Sequence, residues 1–248
     1  MRAFTTTGYT ALVRAFLDAG YETVGLESLS PEPGRLFLRH DIDFCPAYAL
    51  PIAEAEAALG CAGTYYVLAT SPFYNLLDLE VRAALRRLTE LGHAIGLHFD
   101  VGAYPGSPEL EVLAGQERQL LERMAEAPVR SISFHRPAPE LVGMVGDFAG
   151  LPHTYQPRFV EEIAYYSDSQ GSWRFGHPLD SDAFANRSAM QLLTHPVWWR
   201  FETEEAPTPR LNRWLAEDLA RRTEDVARNC KSYDPSAAPA TGAQGLRP

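Results

Sequence analysis

Two hydrophobic periods share this chain. Between residues 8 and 20, Tyr9, Leu12, Val13, Phe16 and Leu17 recur at helical spacing, and Gly20 follows as a stop, so the spacing predicts a helix. Arg35-Leu36-Phe37-Leu38 is then a short apolar run that reads as a buried strand. Pro46 to Leu59 is Ala-rich, opens on proline and ends at Gly60, which predicts a second helix. Gly63-Thr64-Tyr65-Tyr66-Val67-Leu68 predicts a second strand. Residues 78–91, with Leu79, Val81, Leu85, Leu88 and Leu91, predict an amphipathic helix stopped by Gly92. Residues 94–98 form a third expected strand, 109–125 a crossover helix, and 129–135 a fourth strand. Later strands are expected at 163–166 and 190–194, and a final helix over about 209–228.

Strand and helix alternate from residue 8 to about residue 135, the pattern of βαβ units on a parallel sheet. Residues 137–190 are less regular, rich in Gly, Pro and aromatics. No linker or internal repeat interrupts the chain, so one domain is expected over residues 1–231. From Ser232 to Pro248 the composition turns to Ala, Pro and Gly, and a disordered tail is expected.

Composition narrows the function. With 46% hydrophobic residues, the 248-residue chain can form a full core. A formal charge of -10 argues against nucleic acid or an anionic membrane surface as partner. No apolar run approaches membrane-spanning length, and the N-terminus lacks an apolar signal core, so a cytoplasmic location is expected. Cys45, Cys61 and Cys230 show no C-x-x-C spacing, which argues against a disulfide framework or a thiolate zinc site.

The chemistry gathers at predicted strand ends. Arg39-His40-Asp41-Ile42-Asp43 puts two carboxylates at the end of the first strand, where α/β sheets place their sites. One acid can bind a metal while the other takes a proton. Further ends carry His98 with Asp100, His135 with Arg136, Asp168 with Trp173, and His195. If the sheet closes into a barrel, these ends converge on one rim. Oxygen and imidazole ligands without thiolates suit Zn²⁺ or another divalent ion.

These motifs resemble the polysaccharide deacetylases of the NodB-homology type, carbohydrate esterase family 4, and among them the shorter intracellular H-D-x-D relatives of sugar-modification pathways. The resemblance runs through motifs spread over residues 35–199. It implies a distorted (β/α)7 barrel, α/β in class and a single domain, that removes acyl groups with a bound divalent metal, zinc being the expected ion. By this resemblance Asp41 corresponds to the catalytic base, Asp43 to the metal-binding acid and His98 to the first metal histidine. Arg136 corresponds to the arginine that pairs with the base, and His195 to the catalytic acid. Asp168 and Trp173 resemble the acidic and aromatic residues that flank it. Two departures stand out. Ile42 separates two acids that the family has adjacent, and Gly102 stands where the family has its second metal histidine.

The third ligand is therefore sought elsewhere. His135 is preferred, because a neutral imidazole leaves residual positive charge on the ion to activate water; Asp100 is the alternative, otherwise orienting an imidazole. Trp198 and Trp199 either stack on a sugar face or pack the barrel core. Arg174 either meets a substrate anion or makes a surface salt bridge. The expected activity is hydrolysis of an N-acetyl group from a small acetamido-sugar glycoside, nucleotide sugar or sugar-bearing intermediate, with the oligomeric state open. The rivals are a deformylase or amidohydrolase on a non-sugar amide, and a degenerate barrel that binds a saccharide without turnover.

Overall fold

The structure is a computed structural model, and it describes residues 3–237. The chain separates into two compact units, residues 1–205 and 206–248. The sequence pattern predicts one domain through residue 231; here the last helix belongs to the second unit.

In the first unit, helices and strands alternate as the hydrophobic periods predict. α1 (Thr6–Asp18) starts where the Thr5 side chain accepts a hydrogen bond from the Gly8 amide. β1 (Glu22–Thr23) and β2 (Arg35–Ile42) follow, then α2 (Leu50–Ala58), β3 (Thr64–Leu68), α3 (Leu79–Glu90), β4 (Ala94–Asp100), α4 (Leu110–Ala125) and β5 (Val129–His135). The irregular stretch contains α5 (Pro157–Val160), β6 (Ala164–Ser167) and α6 (Asp182–Ala185) before β7 (Met190–Thr194). The helix predicted over 46–59 is divided: a 3-10 turn spans Pro46–Ala49 and α2 begins at Leu50. Pro51 explains the break. It has no amide hydrogen to donate back to residue 47, so a continuous α-helical ladder cannot pass through it.

The strands pair in the order β5-β4-β3-β2-β7-β6, and the two-residue β1 pairs with the start of β2. Every pairing is parallel. Thus the strands expected near 35–39, 63–68, 94–98 and 129–135 are neighbours in sequence order. Barrel closure is a different matter. Among the described residues β5 and β6 are not paired with each other, and β5 carries only a bridge from Ile132 to His153 beyond its pairing with β4. The sheet is nonetheless strongly rolled. Arg39 on β2 reaches Ser133 on β5 at 2.6 Å, whereas three strand spacings in a flat sheet are roughly 14 Å. The rolled interior is filled below the site by Phe37, Tyr66, Leu26, Leu29, Phe159 and Ile163. Gly96 on β4 makes room for Tyr66: a Cβ there would lie 2.4 Å from its ring.

The second unit is α7 (Pro207–Asn229), an amphipathic helix in which Asp218 pairs with Arg221 and Arg222, each at 2.6 Å. In the expected tail, residue 232 lies in a turn and residues 235–237 form a turn and a bend; the remainder, 238–248, lies outside the described residues. No described helix is long and apolar enough to cross a membrane.

Candidate active site

Side chains two apart on a strand share a face, so β2 presents Phe37, Arg39 and Asp41 inward, and Asp43 follows just beyond its end. β4 adds His98, β5 adds Ser133 and His135, and His195 follows β7. Three of these groups form a near-equilateral triangle. His98 Nε2 lies 3.3 Å from Asp43 Oδ1, His135 Nδ1 lies 3.4 Å from the same oxygen, and the two nitrogens are 3.2 Å apart. A tetrahedral ion with bonds of about 2.0–2.1 Å to its ligands holds them about 3.3–3.4 Å from one another.

Proton positions sharpen this fit. His98 Nδ1 lies 3.1 Å from the Ser133 carbonyl oxygen, which can only accept, so Nδ1 carries the hydrogen. In the neutral ring Nε2 then presents a lone pair to the triangle. Asp43 Oδ1 is buried and has no hydrogen-bond donor of good geometry. A cation between them would satisfy the lone pairs of nitrogen and oxygen that converge there. Asp43, His98 and His135 are thus a group that could hold a divalent ion.

Asp41 lies beside the triangle, its Oδ2 3.7 Å from His98 Nε2. Its cation is Arg39, not Arg136. Arg39 Nε donates to Asp41 Oδ1 at 3.0 Å and Nη2 to Oδ2 at 2.8 Å, with both residues buried. Ser133 Oγ adds a bond to the carboxylate at 3.2 Å. Burial raises the Asp41 carboxyl, yet Arg39 and, farther off, His98 and His195 bring it below its ordinary value. The Arg39 guanidinium is held in turn by Gln191 and Tyr155, each accepting at 3.2 Å. Arg136 points elsewhere: its side chain is 73% exposed and its Nη2 donates to Asp100 Oδ2 at 2.7 Å. The sheet explains the exchange. Arg39 shares the inward face of β2 with Asp41, whereas Arg136 follows the last residue of β5 and adopts a left-handed backbone (φ 47°) that carries it outward.

Asp100 stands outside the triangle. Its Oδ1 accepts from the Gly102 amide at 2.9 Å and its Oδ2 holds Arg136, so His98 is oriented by a backbone carbonyl instead.

On the opposite side, Asp168 is fully buried and organises His195. It accepts from His195 Nδ1 at 2.6 Å, from the His195 amide at 3.0 Å and from Trp199 Nε1 at 2.6 Å. Burial lowers the imidazole pKa, but the charge and hydrogen bond of Asp168 prevail and push it up to about 9. His195 Nε2 faces the centre, 4.0 Å from Asp43 Oδ2. Trp199 is thereby engaged, and both Trp198 and Trp199 are buried, which places them on the packing side of their two readings. Trp173 is half-buried, stacked on Phe4 at 5.9 Å and near Trp199 at 6.0 Å. Arg174 is exposed and lies over the Phe175 ring at 5.8 Å. Ser133, Tyr155, Gln191 and Arg39 escape sequence reasoning; only Arg39 leaves a signal there, two positions before Asp41 on a predicted strand.

No family model matches the sequence, and no curated protein matches it. Solved structures match distantly. The chain is similar to a family 4 carbohydrate esterase from Bacillus anthracis (12% identity, TM-score 0.46), over 88% of this chain and 92% of that one. It is also similar to a variant of the peptidoglycan deacetylase PdaC from Bacillus subtilis (10% identity, TM-score 0.46), over 82% of this chain and 100% of that one. A CE4 family pseudoenzyme from Bacillus anthracis matches at 14% identity and TM-score 0.43, over 80% of this chain and 68% of that one.

Proposed function

We propose that this chain is a metal-dependent hydrolase that removes the N-acetyl group from an acetamido sugar, with a small glycoside, nucleotide sugar or sugar-bearing intermediate as substrate. The observation that carries this reading is the Asp43–His98–His135 triangle with an ionised carboxylate, Asp41, on one side and a protonated imidazole, His195, on the other. Asp43, His98 and His135 would hold the ion, and two nitrogens and one oxygen without thiolate suit zinc. Such an ion supplies Lewis acidity: it polarises an acyl carbonyl and makes water a stronger acid at neutral pH.

The chain's own residues divide the proton work. Asp41, kept ionised and fixed in orientation by Arg39, takes a proton from the attacking water. Its low basicity is tolerable only where that water is acidified. His195, held protonated by Asp168, gives its Nε2 proton to the leaving amine nitrogen as the C–N bond breaks, so acetate and the free amino sugar leave. Asp168 also fixes the ring so that Nε2, not Nδ1, faces the centre.

His135 supports the hydrolase over a degenerate saccharide-binding barrel, because with Asp43 and His98 it offers a third ligand atom in place of the one absent at Gly102. The test pairs elemental analysis with acyl release from a panel of acetamido and formamido sugars. One ion per chain with acetate release, both lost in Asp43→Ala, is expected. Formate release alone would move the function to deformylation. Bound ion with no acyl release from any substrate would overturn the hydrolase.

A further inference from the structure

A second buried polar cluster lies on the opposite face of β2, between the sheet and the helices α1 and α2. Its centre is Glu56, on α2 and 0% exposed. The Tyr9 hydroxyl donates to Glu56 Oε1, and the Tyr65 hydroxyl donates to Oε2 at 2.9 Å. His40 Nε2 lies 2.8 Å from Oε1, a close ion-pair contact without the alignment of a hydrogen bond. The other nitrogen of His40 meets the Thr194 hydroxyl at 2.7 Å. His93 closes the far side as a neutral ring, its Nε2 donating to the Ala53 carbonyl at 2.9 Å and its Nδ1 accepting from the Gly63 amide at 3.1 Å. The backbone makes room for this cluster. A Cβ at Gly63 would lie 2.6 Å from His40 Nε2 and 3.1 Å from Glu56 Oε2.

Thr194, His40 and Glu56 stand in the order hydroxyl, imidazole, carboxylate, the arrangement of a nucleophilic triad. Yet all three are fully buried, so no acyl donor can reach the hydroxyl. A buried carboxylate also rarely improves stability over an apolar side chain of the same size. Its use is therefore internal, and the register says where. His40 opposite Thr194 is the last pair of the β2–β7 ladder. The next residues are Asp41 and His195, which turn to the other face and stand on either side of the metal-binding triangle. The His40–Thr194 side-chain bond is thus one more rung at the point where the two chains part.

We propose that Glu56, through His40 and Thr194, positions Asp41 against His195 by locking the ends of β2 and β7 together. The turnover part of this inference rests on the proposed hydrolase; the structural part does not. Glu56→Ala risks unfolding the helix–sheet layer, so the test uses Thr194→Val, which keeps the branched shape, and Thr194→Ser, which keeps the hydroxyl. Both are made in the full chain with its ion, and acetate release, ion content and amide hydrogen exchange are measured. Thr194→Val should lower kcat about tenfold with KM and ion content unchanged, since misplacement of reacting groups by under 1 Å is enough for such a loss. Amides of residues 40–43 and 194–197 should exchange faster in Thr194→Val and at the wild-type rate in Thr194→Ser. Glu56→Gln, which keeps the volume but replaces one acceptor oxygen by a donor and removes the charge facing His40, should shift both readouts as Thr194→Val does. Equal impairment in the valine and serine variants, wild-type behaviour in the valine variant, or loss of the ion in it would each overturn the proposal. If the wild-type chain releases no acyl group, the hydrolase reading fails by itself, and the exchange comparison still decides whether the strand ends are locked.

Discussion

Arg39→Met tests the assignment of the buried cation that faces Asp41. The substitution keeps an unbranched side chain of similar reach and removes five hydrogen bonds: two to Asp41, one each to Ser133, Gln191 and Tyr155. It leaves a carboxylate 3% exposed without its counter-charge. Removing one partner of a buried ion pair costs about 3–5 kcal/mol. For a chain of this size that lowers Tm by about 6–20 °C, at 2–4 °C per kcal/mol. The loss should be full at neutral pH, because a carboxyl with a depressed folded-state pKa contributes above its unfolded value and loses that contribution only as pH falls through the folded one. Urea unfolding of chelator-treated protein, followed by tryptophan fluorescence, reads the pair without the ion. Arg39→Met with Asp41→Asn should lose less than the sum of the single variants, by about 0.5–3 kcal/mol. Arg136→Ala breaks only an exposed pair and should cost about 0–1 kcal/mol, with no coupling to Asp41. An Arg39→Met protein within 1 kcal/mol of wild type, beside measurable coupling between Arg136 and Asp41, would refute the assignment.

His195→Ala should keep the ion and lose turnover by about 10²–10⁴-fold, as expected for a missing general acid; unchanged acetate release would remove that role. Glu117 on α4 is buried, which with the charge of Asp100 and against the Tyr104 hydrogen bond pushes its carboxyl up from 4.5 to about 7. The folded chain then keeps a proton that the unfolded chain releases, so stability falls between about pH 4.5 and 7 by up to about 3 kcal/mol, at about 1.4 kcal/mol per pKa unit. Glu117→Gln should flatten that slope in urea unfolding at pH 5 and pH 8, and an unaltered slope would show that another group sets it. Gly96→Ala should destabilise by about 1–3 kcal/mol, because its Cβ meets the fully buried Tyr66 ring; a neutral effect in thermal unfolding would show that the ring can move aside.

The elements were largely legible in the sequence because their hydrophobic periods are clean. Val129–His135 and Met190–Thr194 coincide with the predicted strands, and α3 and α4 lie within a residue of their predicted bounds. The division at Pro51 leaves little trace in the pattern, because the Ala-rich composition masks a single missing amide donor. At the site, the convergence of Asp43 with His98 and His135 follows from residues at the ends of neighbouring parallel strands. Motif order points to Arg136 as the partner of Asp41, because it directly follows the strand-end His135. Period-two reading alone puts Arg39 on the face of Asp41. Glu56 left less trace: an acid in an Ala-rich helix reads as solvated, and only the packing of α1 and α2 on the sheet buries it.

On this geometry Asp43, His98 and His135 together would hold a divalent ion. Equilibrium dialysis against Zn²⁺ with elemental analysis of the wild type, His135→Ala and Asp100→Ala tests it most directly. The geometry predicts one tightly held ion in the wild type and in Asp100→Ala, because the Asp100 carboxylate binds Arg136 and the Gly102 amide and stands outside the triangle, and loss of that ion in His135→Ala. Full occupancy in His135→Ala with loss in Asp100→Ala would make Asp100 the ligand in place of His135.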